Sequence, residues 1–69
     1  MTPYSILVTA EQTCHTIEIR EVATGKEGVA NTQGDMVAVF YGADDGSDDK
    51  VITAEEFNSE FEITACIAD

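Results

Sequence analysis

Residues 35–62 read DMVAVFYGADDGSDDKVITAEEFNSEFE, and the changes of period inside this stretch decide the fold. In Asp35–Tyr41, Met36, Ala38 and Phe40 alternate with Val37, Val39 and Tyr41, so apolar side chains fall on both faces. That pattern predicts an interior strand. Gly42 ends the run, and the acidic segment behind it carries Asp45-Gly46, a hairpin dipeptide. Lys50–Ile52 predicts a short returning strand. Thr53-Ala54-Glu55-Glu56 then has the spacing of a capping box: the Thr53 hydroxyl accepts from the third helical N–H, and Glu56 reaches back. Two acids in a first turn also suit the positive end of the helix dipole. A helix over Ala54–Glu60 turns Ala54, Phe57 and Phe61 inward and leaves Glu55, Glu56 and Glu60 outside. Phe61–Ile67 (FEITACI) returns to period two, which predicts a last strand with Phe61, Ile63, Ala65 and Ile67 inward.

Upstream, Tyr4–Ala10 (YSILVTA) is rich in β-branched and aromatic residues. Its alternation predicts a half-buried strand, with Tyr4, Ile6, Val8 and Ala10 on one face and Ser5, Leu7 and Thr9 on the other. Glu11–Thr13 is a short polar connection, so a hairpin with the next strand is expected. Cys14–Val22 (CHTIEIREV) alternates clearly, Ile17 and Ile19 pointing one way and Glu18 and Arg20 the other. Ala23–Gly34 holds three glycines and little periodicity, and predicts a loop with one short extended piece near Val29. The expected fold class is therefore α+β: a small antiparallel β-sheet of about four to five strands with one short α-helix, in a single domain over residues 1–69.

Charge is the abnormal quantity. Residues 1–34 carry four carboxylates against two cations, a net of −2, and residues 35–69 carry ten against Lys50, a net of −9. Crowding of one sign into one half is the pattern of a face meant for a charged partner, whereas a halophilic surface spreads its acids. The candidate contact set is Asp44, Asp45, Asp48 and Asp49 at the hairpin tip with Glu55, Glu56, Glu60 and Glu62 on and beyond the helix. Homodimerisation through such a surface is repulsive, which favours a monomer. The chain is 43% hydrophobic, enough for a packed core, yet no apolar run approaches the ~18 residues of a membrane span. A soluble protein with no membrane partner is expected.

Other chemistries fit less well. With Asp45 as the first position of a calcium loop, Ser47, Asp49 and Glu56 fall third, fifth and twelfth, but Lys50 takes the sixth place, where such loops need glycine. The residues before it read as strand where an entering helix is required. No metal and no cofactor are expected. His15 has no partner at a spacing that implies a catalytic dyad, since Cys14 beside it points to the opposite face of a strand. Adjacent carboxylates in an exposed turn stay solvated, so an enzyme is not expected. Cys14 and Cys66 are too few for a metal motif, and two buried free thiols are the expectation. A bridge between them would need an oxidising compartment.

Residues 34–62 also resemble a small module of phage and prophage proteins: Gly-Asp before an alternating apolar strand, an Asp-Gly turn, a returning strand, then a Ser/Thr-x-Glu-Glu-Phe helix. The turn here is longer and more acidic than in that module. The whole chain, small, acidic and beginning MTPYSILVTAEQ, is similar to phage anti-CRISPR proteins, most closely the type I-C inhibitors. The resemblance implies action in the host bacterial cytoplasm on the Cascade surveillance complex of a type I CRISPR-Cas system. It further implies a DNA mimic that occupies a basic DNA-binding surface of a Cas subunit without touching nucleic acid itself. It transfers no site residue; the acidic positions rest on charge placement. The alternative is an acidic phage protein that inhibits another host nucleic-acid-binding protein, such as a nuclease, restriction enzyme or transcription factor.

Overall fold

At Thr53 a strand becomes a helix in the computed structural model of the protein, which describes residues 1–41 and 49–68. Thr53 keeps extended backbone (φ −73°, ψ 160°), its hydroxyl accepts from Glu56 N, and the Glu56 carboxylate returns to the Thr53 N–H. Both halves of the capping box are thus made. The chain runs α1 (Pro3–Ala10), β1 (Thr16–Glu21), β2 (Glu27–Gln33), β3 (Met36–Phe40), β4 (Lys50–Thr53), α2 (Ala54–Glu60) and β5 (Phe61–Ile67). The five strands form one antiparallel sheet in the order β4-β3-β2-β1-β5. An α+β fold with an antiparallel sheet is what the periodicities imply, with a second helix added.

That second helix corrects the strand expected over Tyr4–Ala10. Thr2 is its N-cap, the hydroxyl accepting from Ser5 N at 3.2 Å, and Pro3 stands in the first turn, where its missing N–H costs nothing. Helical winding puts Leu7 inward, wholly buried, with Tyr4 and Ala10 packed against the same core. Leu7 thus shares a face with Tyr4 and Ala10, whereas strand alternation would put it on the side opposite to them. The expected first hairpin disappears with the strand, and β1 pairs instead with β2 and β5.

β2 corrects the second expectation, a loop over Ala23–Gly34. It is the middle strand of the sheet, and its apolar signal is faint because its place demands small residues. Gly28 lies so close to β3 that a Cβ there would fall 2.4 Å from the Phe40 carbonyl oxygen. Ala30 is buried opposite Val39. The β2–β3 connection is the two residues Gly34 and Asp35, and Gly34 adopts φ +63°, as mirror-image hairpin turns require.

Both helices cover one face of the sheet. The core joins Leu7 and Phe57 from the helices to Ile17, Ile19, Ala30, Val37, Val39, Ile52 and Phe61 from the strands. Phe57 stacks on Phe61 with ring centroids 5.5 Å apart, and burying one such side chain contributes about 1.5–3 kcal/mol. On β5 the register against β1 shifts by one at Thr64: Ile63 faces Ile19, but Ala65 faces Glu18. Directly opposed residues share a face. The shift therefore sends Ala65 and Ile67 to the other side of the sheet, against the expected uniform alternation, and leaves Ile67 41% exposed.

Cys14 and Cys66 are bridged, with Cα atoms 6.0 Å apart, which corrects the reading of two free thiols. The bond ties the α1–β1 corner to the far end of β5. Neither cysteine is deeply buried.

Candidate functional site

Of the eight expected contact carboxylates, Asp44, Asp45 and Asp48 lie outside the described residues. Asp49 is exposed and its Oδ1 accepts from the Tyr41 N–H at 3.2 Å, closing the strand ends β3 and β4 around the acidic segment. Glu55 and Glu56 stand exposed in the first turn of α2. Glu56 is also structural: its Oε1 accepts from Thr53 N at 3.4 Å and from Thr53 Oγ1 at 3.2 Å. Glu60, at the end of the same helix, is half-buried, and its carbonyl accepts from Val22 N at 2.9 Å.

Glu62 stands apart. Its register partner is Arg20, with which it forms a salt bridge, and Arg20 shares the sheet face of Glu18, opposite to Ile17 and Ile19. The α2 glutamates lie on the helix-covered side, so the sheet separates them from Glu62. The structure thus places Asp49 just before β4, Glu55, Glu56 and Glu60 on α2, and Glu62 on the other face of the sheet, already paired with a cation.

Two of the chain's three cations sit beside the root of the acidic segment. Lys26 Nζ lies 4.4 Å from the centre of the Tyr41 ring, and Lys50 Nζ 5.6 Å from that of Phe61. The two rings are themselves 6.4 Å apart. Burial pushes the Tyr41 phenol above its ordinary value of 10.0, while the Lys50 charge pulls the other way. This aromatic platform holds the last residue before Gly42 in place.

Glu11, an acid the sequence left in a connection, is structural too. Its two carboxylate oxygens accept from the Thr32 N–H at 2.6 Å and from the Thr32 hydroxyl at 2.8 Å, fastening the end of α1 to β2. Glu18 and Glu27, by contrast, have no side-chain partner among the described residues. They border a cleft of about 270 Å³ on the helix-free face with Val29, Phe40, Tyr41 and Thr64. Sequence reading missed this cleft because it took Glu27 for loop. The alternation Glu27, Val29, Asn31 was the signal available.

Calcium chemistry fares poorly in this geometry. The residues ahead of the acidic segment are strand β3 and not a helix, and Glu56, the would-be twelfth ligand, is held by Thr53. Among the described residues no three His, Cys, Asp or Glu side chains gather as a metal site. His15 is exposed just before β1, its backbone N–H donating to the Ile67 carbonyl at 3.0 Å. No described helix is long and apolar enough to cross a membrane. The chain matches no protein-family model, no curated protein and no solved structure.

Proposed function

We propose that the protein is a non-enzymatic anti-CRISPR inhibitor, which binds a type I Cascade complex, of the I-C kind, through an acidic surface that stands in for DNA. The observation that carries this reading is the mounting of the acids. Glu55 projects from a helix turn that the Thr53–Glu56 capping box fixes, and the exposed Asp49, tied to the Tyr41 backbone, follows directly in sequence on the segment that holds Asp44, Asp45 and Asp48. Carboxylates held on a rigid support lose little freedom on binding, which is how an array of charges competes with a phosphate backbone for Lys/Arg rows.

The partner under this reading is the basic DNA-binding surface of a Cas subunit in the bacterial cytoplasm, met by a monomer of this chain. Cytoplasmic thiol pools reduce exposed disulfides, so the bridged and reduced forms are both to be assayed. The test is charge reversal: Asp44→Lys, Asp45→Lys, Asp48→Lys and Asp49→Lys together, with Glu55→Lys as a separate variant that spares the capping box. The expected result is a loss of Cascade binding of more than about tenfold, and binding by the unaltered protein that weakens steeply with salt. A folded four-fold variant that inhibits undiminished would overturn the reading. Capture of a nuclease, restriction enzyme or transcription factor from host lysate, with no Cascade subunit, would transfer it to the alternative target.

A further inference from the structure

With both helices on one side, the opposite face of the sheet has no described element packed over it. Its central row is set by register: Glu18 on β1 faces Val29 on β2, which faces Phe40 on β3. Glu27 precedes Val29 by two residues and so shares that face, diagonal to Glu18. Diagonal neighbours in an antiparallel pair stand about 7–8 Å apart, room for one planar cation between two carboxylates. The floor is the half-buried Val29 and Phe40, and Thr64, the residue at the register shift, forms part of the wall. Arg20, directly opposite Glu27 in the β1–β2 register, is the cation of this face among the described residues, and its guanidinium is engaged by Glu62 across the β1–β5 pair. Unlike Glu11, Glu56 and Glu62, the carboxylates of Glu18 and Glu27 serve no internal bond among the described residues.

We propose that this cleft receives an arginine side chain from a basic segment of the partner protein. The guanidinium lies between Glu18 and Glu27, and its methylenes cover Val29 and the Phe40 ring. Charge complementarity selects a cation, and the apolar floor selects one with a long stem. Arginine fits better than lysine because its planar fork serves two carboxylates at once and is weakly hydrated enough to lie on an aromatic ring. Tyr41 lines the same cleft, which lies on the face of the sheet opposite the α2 glutamates and so is a contact separate from theirs. The inference deepens the proposed function and rests on it for one premise only, that the partner is basic.

The experiment is an NMR titration of the isotopically labelled, bridged protein with a blocked tetra-arginine peptide and, in parallel, a tetra-lysine peptide. Expected are saturable shifts at the amides of Glu18, Gly28, Val29, Phe40 and Thr64, with arginine binding at least about threefold tighter than lysine. Glu18→Gln with Glu27→Gln should weaken the arginine response about tenfold while the remaining spectrum stays in place. Shifts confined to residues 49–60 would overturn the cleft and leave the acidic surface standing. Equal response to both peptides, or cleft shifts that survive the double substitution, would overturn the arginine assignment. No saturable shift anywhere would also overturn it, while Cascade binding by the charge-reversed variants decides the proposed function separately.

Discussion

α2 begins at Thr53 with a reciprocal cap, runs seven residues, and passes into β5 without a connecting loop. α1 begins at Thr2, runs eight residues, and reaches the sheet through a separate corner. Neither is long enough to be stable alone in water. α2 is held by its own sequence: a capping box at one end, strands at both, and Phe57 beneath. α1 is held by others. Its Tyr4 N–H donates to Asn58 Oδ1 on α2 at 2.8 Å, Leu7 fills the core, Glu11 grips Thr32 on β2, and Cys14 is bonded to Cys66. One helix is specified locally and the other by partners more than twenty residues away.

The largest test of that contrast is removal of the bridge. The cysteines are 52 residues apart, and the chain-entropy account assigns a loop of that size about 4 kcal/mol. Such a figure is a large part of the stability of a 69-residue domain. Cys14→Ser with Cys66→Ser should lower the urea midpoint accordingly, and hydrogen exchange should show the α1 amides losing protection well before those of α2. Simultaneous loss in both helices would break the distinction.

A smaller effect is expected at the caps. Thr53→Ala removes an acceptor for Glu56 N and the hydroxyl that Glu56 binds, and should cost about 1 kcal/mol, read as fraying confined to α2. Thr2→Ala should cost about half as much, because the distant ties of α1 remain. Equal effects at the two caps would mean that α1 is as locally determined as α2.

The reach of the sequence follows the same division. β3, β4, α2 and the start of β5 were legible because each depends on its own periodicity and on one capping box. α1 was hidden by Ile6, Val8 and Thr9, whose branching imitates a strand. β2 was hidden because the middle of the sheet is filled by Gly28 and Ala30, which leave no hydrophobic signature. The site divides likewise. Acidic positions can be counted along a chain, but their employment depends on strand order: Glu62 is taken by Arg20 only because β5 lies beside β1. Glu18 and Glu27 become neighbours only because β2 is a strand at all. The Cys14–Cys66 bond is legible only once both ends of the chain are known to meet.

The smallest effect concerns pH. Burial raises the Tyr41 phenol, so the folded state holds this proton more tightly than the unfolded chain does. The resulting stability is fully present below the ordinary value of 10.0 and is lost as pH rises through the folded value. Tyr41→Phe should therefore flatten the alkaline limb of the stability curve measured by urea unfolding above about pH 10, with little change at neutral pH. An unchanged limb would free Tyr41 from that role and leave the aromatic platform as packing alone.

The bridge has one more consequence, mechanical in kind. It closes residues 14–66 into a covalent ring, so only residues 1–13 and 67–69, sixteen in all, lie outside it. Pulled by its two termini, the oxidised chain can lengthen to about 55 Å before the load passes to the sulfur bond, whereas the reduced chain can reach about 240 Å. β2, β3, β4 and α2 lie wholly inside the ring and never bear the load. A protease that cuts once within the acidic segment leaves a single molecule still joined through Cys14 and Cys66.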